Sequence, residues 1–179
     1  MMNRGLKITG IVLFLLLAVA GLIVWKYDFP KKIKLTYPAV EFRPGHPSSV
    51  DKTTITIKGT LHRRLFHDER FTGHIEIAKY DVTKSRMAPI IFQKDTLGGW
   101  GNLAYFVYAF KPSGAVKKLD IVQLSSIWKT GKFENVKLQL YERVEADLGS
   151  GKYIQIMAPA TDYDSALALE QQYKDRDQY

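Results

Sequence analysis

The chain of 179 residues contains no cysteine. That excludes disulfides, thiolate metal sites and a cysteine nucleophile. Signatures of common chemistries are also missing. There is no H-E-x-x-H zinc motif, no G-x-S-x-G turn around Ser125 and Ser126, and no Gly-Lys-Ser/Thr phosphate loop. Basic residues interleaved with aromatics do not recur along the chain, so a nucleic-acid groove is not expected. No internal repeat or low-complexity tract is evident.

What the chain does have is one long apolar run. Ile8 to Trp25 is 18 residues without a charge, and twelve of them are Leu, Ile, Val or Phe. As a helix it would rise about 27 Å, close to the ~30 Å hydrocarbon core of a bilayer. At roughly −0.3 to −0.6 kcal/mol each, the twelve residues favour insertion by at most about 4–7 kcal/mol. Trp25 and Tyr27 fall where aromatic rings settle at the interface. The run is apolar all round rather than along one stripe, which argues against a buried core helix. A signal peptide is the competing reading, with Ala18-Val19-Ala20 as its cleavage site. Four further apolar residues, Leu22 to Trp25, would then remain on the mature chain, so retention as an anchor is expected.

The sequence therefore reads as a short basic tail (1–7), a transmembrane helix (8–25, an uncleaved signal anchor), a basic, proline-containing stalk (26–52) in which "IKLTYPAVEF" suggests a short strand, and a β-rich domain (53–179). Single-pass residence in the cell membrane follows, with lipid bilayer around residues 8–25. Lys26, Lys31, Lys32 and Lys34 follow the run, and that charge count taken alone would keep the domain inside. Against it, a very short basic tail before an apolar run is how an export signal begins, and long domains translocate largely regardless of charge. The expected location of the domain is extracytoplasmic. The net charge of +8 is uneven: residues 1–25 carry +2, residues 26–70 carry +5 and residues 71–179 carry +1. Each Lys or Arg near an anionic surface is worth about 1 kcal/mol. Lipid headgroups or an anionic wall polymer are the expected partners of the four lysines.

Beyond the stalk the pattern changes to period two. In "TTITIKGTLHRRL", Ile55, Ile57, Gly59 and Leu61 share one face. In "FTGHIEIAKY", Phe71, Gly73, Ile75 and Ile77 do the same. The two predict a hairpin, with each glycine at a bulge or close approach. "APIIFQ", "AVKKLDIVQL", "ENVKLQLYE" and "KYIQIMAP" predict further strands. "NLAYFVYAF", apolar on both faces, predicts a central strand covered on both sides. "TDYDSALALEQQYKDR" predicts a closing helix over about 162–175, with Thr161 and Asp164 at capping-box spacing and Ala166, Leu169 and Tyr173 on one stripe. The fold class expected is mainly β: a β-sandwich or partly closed β-barrel carrying one C-terminal helix.

Candidate chemistry is sparse. His62, His67 and His74 lie within thirteen residues, with Asp68 and Glu69 between them, and could hold zinc if the fold gathered them. Asp162 and Asp164 read as helix-start residues rather than a glycosidase pair. "LGGWGN" makes Trp100 the candidate ligand-binding residue, an indole between glycines. The reading favoured over that one is a tight loop with Trp100 plugging one end of the core. No catalytic residue and no cofactor is expected. The function read from the sequence is a non-catalytic binding or assembly component at the cell envelope. The alternatives are an extracytoplasmic domain that binds lipid or glycan in a barrel mouth, or a metal-dependent enzyme using the three histidines.

Overall fold

The computed structural model describes residues 4–26, 29–63, 67–93, 99–140 and 154–176. Helix α1 spans Arg4–Lys26. Nine strands follow: β1 Phe29–Arg43, β2 His46–Arg63, β3 Glu69–Ile77, β4 Arg86–Met87, β5 Ile90–Phe92, β6 Trp100–Phe110, β7 Val116–Lys129, β8 Val136–Leu140 and β9 Gln155–Ala158. Helix α2, Tyr163–Arg176, closes the described chain.

The strands form one curled antiparallel sheet, a half-barrel in the order β4-β6-β7-β8-β9-β1-β2-β3-β5. Its two ends approach each other. The segment from β4 to β5 straddles the seam, because β4 pairs with β6 while β5 pairs with β3. Backbone bonds Ala88 N–H to Ala104 O and Gln93 N–H to Trp100 O, each 2.9 Å, hold the seam. The period-two faces point inward as expected. Ile55, Ile57, Leu61, Phe71, Ile75, Ile77, Val136 and Leu138 are fully buried. Leu103, Tyr105, Ile127 and Ile156 meet them from the other side of the curl, so the interior is filled with side chains. Gly59 and Gly73 stand opposite each other in the β2–β3 ladder. A Cβ on Gly59 would lie 2.4 Å from the Thr72 carbonyl oxygen, and Gly73 has φ +153°. This is the close approach the glycines imply.

Three expectations are corrected. The residues read as a stalk are largely strand: Phe29–Arg43 is β1, and β2 begins at His46. Pro30 lies in the part of β1 that has only β2 beside it among the described residues, the edge position where proline is tolerated. Pro38 lies where the β9 pairing ends, its carbonyl oxygen accepting the Ala160 N–H at 3.0 Å. "NLAYFVYAF" is not covered along its whole length. β6 is buried at Gly101 and from Leu103 to Tyr105, half-buried at Phe106 and Val107, and exposed from Tyr108 to Phe110. The helix cap sits one residue later than Thr161. The Ser165 N–H donates to Asp162 Oδ1 (2.8 Å) and the Asp162 N–H donates to Ser165 Oγ (3.2 Å), a reciprocal cap.

Among the described residues no helix is long and apolar enough to cross a membrane. The side chains described in α1 run from Thr9 to Leu22. Over that stretch every large apolar side chain is exposed, from Ile11 at 60% and Phe14 at 71% to Leu22 at 64%. Consecutive residues 11–17 cover every face of a helix at 100° per residue.

Candidate outer-face groove

The site is built on β6. Its residues alternate, so Gly101, Leu103 and Tyr105 point into the core while Trp100 and Asn102 point out. Gly101 is required here. A Cβ would sit 2.4 Å from Ile90 Cγ2 and 3.1 Å from the Ile91 carbonyl oxygen, so only glycine lets β5 close onto β6. That closure leaves a groove of about 230 Å³ on the outside of the seam, lined by Ala88, Pro89, Ile91, Gln93, Trp100, Gly101, Asn102 and Ala104. None of these eight residues is charged.

Pairing register extends the site across the sheet. Asn102 stands opposite Ser126, Ser126 opposite Gln139, and Gln139 opposite Gln155. Directly opposed residues share a face, so four uncharged hydrogen-bonding side chains form one row. The neighbouring row runs from Trp100 to Trp128 to Lys137. The Lys137 ammonium lies 5.2 Å from the Trp128 ring and 5.9 Å from the Tyr173 ring of α2. It occupies a face of Trp128 and leaves Trp100 as the available indole. The Trp100 Nε1–H and Asn102 Oδ1 are shielded from solvent and have no hydrogen-bond partner among the described residues. Gln155 Oε1 is in the same condition at the row's end, where α2 packs its Ala166 against Val40, Phe42 and Met157.

Trp100 is thus placed on the outer rim of the seam and does not fill the core. The partner residues Asn102, Ser126 and Gln139 carried no signal in the sequence, because a row across strands is set by register and not by spacing along the chain. The histidines are not brought together. His62 pairs with Arg70 and His74 with Lys58, four residues apart along β3 and therefore about 13 Å. The His62 ring is within 3.1 Å of Thr72 Oγ1, and His67 is exposed. No group of three or more His, Asp or Glu that could hold a metal occurs among the described residues.

Two charged clusters lie at opposite ends of the curl. At one end Lys79 bridges Glu41 Oε1 (2.7 Å) and Asp51 Oδ2 (2.6 Å), while the Tyr80 hydroxyl donates to Glu41 Oε2 (2.7 Å). Its Asp51 partner first, then Glu41, holds the Lys79 ammonium above its ordinary range, and Lys79 holds Asp51 below the usual carboxylate range. At the other end Lys129 bonds to Glu69 and to the Gly131 carbonyl oxygen (3.0 Å), and Arg63 Nε pairs with Glu69 Oε1 at 2.9 Å. Lys129 lies 5.0 Å from the Phe92 ring and 5.7 Å from the Phe133 ring. Phe133 is fully buried at φ +67° and packs edge-on against Phe71 and Phe92. This cluster plugs the end of the core, the role the sequence offered for Trp100. Burial pushes the Tyr105 phenol up, and the Glu76 charge adds to it; its hydroxyl donates to the Ile75 carbonyl oxygen at 2.6 Å.

A third feature is the free-standing end of the β6–β7 hairpin. Phe106 opposes Ile121, Tyr108 opposes Leu119, and Phe110 opposes Val116. These three apolar pairs lie on one face, with Phe110 62% and Ile121 61% exposed. Lys111, Lys117 and Lys118 surround the tip. Comparison of the chain with protein-family models, with curated proteins and with solved structures finds no match.

Proposed function

We propose that the protein is a single-pass membrane protein whose β domain is a non-catalytic binding or assembly component at the cell envelope, on the extracytoplasmic side. The observation that carries the anchor is the all-round exposure of apolar side chains between Ile11 and Leu22. In water such a helix forfeits about 25 cal/mol per Å² of apolar surface, and hydrocarbon removes that cost. Lys31, Lys32 and Lys34 are exposed at the start of β1, where anionic headgroups or wall polymer would meet them. Alkaline extraction of membranes tests the anchor, and protease treatment of intact cells tests the side. A chain that leaves the membrane at high pH, or a mature amino terminus at Gly21, overturns the anchor.

The hairpin supports the assembly half of the reading. Its occupant is an apolar protein surface with an acidic rim, because Lys111 and Lys117 stand at the tip of the exposed ladder, while Lys118 pairs with Asp120 at 2.9 Å. Patches of this kind mark interaction sites on soluble domains.

A second reading, a ligand-binding domain, is favoured by the outer groove. The filled interior moves that reading from a barrel mouth to the seam, where the exposed Gln93 stands beside Trp100, Ile91 and Pro89. Convergent polar groups in a mostly apolar cleft are the usual composition of a small-ligand site.

A further inference from the structure

We propose that the outer face of β6, β7 and β8 binds a neutral oligosaccharide, with one sugar ring seated in the groove against Trp100. This rests on the ligand-binding reading above and names the ligand.

The groove's chemistry selects against the other classes. With no charged residue among its eight lining positions, an ionic ligand would lose water and gain no counter-charge. An acyl chain would cover Asn102 and Gln139 and leave their polar groups desolvated. A peptide adding as a strand would need a free edge, and the seam is already bonded through Ala88–Ala104 and Gln93–Trp100. A sugar ring suits what remains. One side of it is a plane of C–H groups that packs on an indole, and its edge carries hydroxyls that both donate and accept. The Trp100 Nε1–H and the Asn102 Oδ1 are an unpaired donor and an unpaired acceptor two residues apart. Both atoms are shielded from solvent while their side chains are half-exposed, so what Trp100 presents is ring carbon for stacking, and Gln93, exposed at the groove's rim, meets the hydroxyls.

The register of the sheet explains why a chain of rings fits better than one. Neighbouring strands are about 4.8 Å apart, so Asn102, Ser126 and Gln139 repeat hydrogen-bonding groups at that interval across the face. Successive rings of an oligosaccharide would meet successive side chains. Gln155 continues the row but is buried beside α2, which sets the end of the usable face. The groove's roughly 230 Å³ is below the ~300–1,000 Å³ of sites that enclose a drug-sized ligand. That matches one ring held closely and the rest laid over the open sheet.

Isothermal titration of the full chain, in a detergent without a sugar headgroup, tests this. The probes are neutral hexasaccharides of glucose and of N-acetylglucosamine, dodecanoate, and an uncharged hexapeptide. At least one hexasaccharide binds, Trp100→Ala weakens it about tenfold or more, and Gln93→Ala, at an exposed position, weakens it about fivefold. Gln171→Ala on the exposed side of α2 leaves the affinity unchanged. Binding of dodecanoate or the peptide alone, lost in Trp100→Ala, overturns the sugar assignment and keeps the groove as a site. Binding of none of the four by a chain with native circular dichroism overturns both. Sugar binding that is indifferent to Trp100→Ala and Gln93→Ala overturns the placement.

Discussion

Lys129 and Glu69, sixty residues apart in the chain, meet inside the end of the half-barrel. Lys129's side chain is 7% exposed and Glu69's is 14%. The pair ties β7 to β3 across the core and sits under the rings of Phe92 and Phe133. A charge so placed depends on its partner, since an uncompensated buried ion costs more than the pair gains. Glu69→Gln is expected to destabilise the fold by about 3 kcal/mol, the low end for breaking a buried pair. The double change Lys129→Met with Glu69→Leu is expected to cost less than either single change. Urea denaturation of the full chain in detergent measures all three, and additive losses would refute the coupling.

A second prediction concerns the seam. Gly101→Ala brings a methyl within 2.4 Å of Ile90 Cγ2 and 3.1 Å of the Ile91 carbonyl oxygen. Overpacking of this kind costs about 1–3 kcal/mol. Adding Ile90→Ala removes the nearest of the three crowding groups, the third being Phe92 Cδ1 at 3.3 Å, so the double variant is expected to lose less than the sum of the single variants. The check is again urea denaturation, with a sum obeyed to within about 0.5 kcal/mol counting against the clash.

Much of the β framework was legible because period-two alternation survives wherever one face is buried. Ile55-Ile57-Leu61 and Phe71-Ile75-Ile77 point inward as the alternation requires. The prolines and lysines between residues 26 and 52 hid the length of β1, of which "IKLTYPAVEF" suggested only a short part, since the outer stretch of a strand with one neighbour tolerates both and loses the usual composition. The length of β6 misled for the opposite reason. Phe106, Tyr108 and Phe110 look like core in sequence, yet they form an exposed ladder with Ile121, Leu119 and Val116. Trp100 was visible as an oddity among glycines. Its row partners Asn102, Ser126 and Gln139 were not, because three hydrogen-bonded ladders must be known before they can be placed side by side.

The helix cap gives a third prediction. Asp162 accepts the Ser165 N–H and is held below the usual carboxylate range, first by that bond and then by the Ser165 and Thr161 hydroxyls. Asp162→Ala should cost about 1 kcal/mol. The loss is expected in α2 first, so hydrogen exchange at Ala166 and Leu167 should rise before that in β2 or β3. Uniform exchange across the domain would mean that α2 and the sheet open together.

The pH dependence follows from the same groups. Asp51 and Asp162 have depressed values in the folded chain, relative to an ordinary 3.8. Their contribution is present above about pH 4 and is lost as pH falls through the folded values. Lys79 is raised above its ordinary 10.5 by Asp51 and Glu41, so its contribution is present below that pH and is lost as pH rises through the folded value. Stability should therefore be flat between these limits and fall on both sides. Asp51→Asn should flatten part of both limbs, because one bond links the two groups. Thermal melting from pH 2.5 to 11.5 measures this, and an alkaline limb unchanged in Asp51→Asn would break the link.

The hairpin separates stability from assembly. Tyr108 and Leu119 oppose each other at 38% and 49% exposure, and neither belongs to the buried core. Replacing Leu119 by Lys should change folding stability by no more than about 0.5 kcal/mol, as for other surface positions. The same change puts a charge into the middle of the apolar ladder, where a partner would have to desolvate it. In-cell cross-linking from Lys117 should therefore give a specific adduct with the native chain and lose it with Leu119→Lys. Exchanging Lys111 and Lys117 for Glu should also weaken the adduct if the partner's rim is acidic, because like charges then face each other. Adducts that survive Leu119→Lys would place the contact elsewhere. Adducts that join two copies of this chain would replace the acidic-rimmed partner by self-association through the same face.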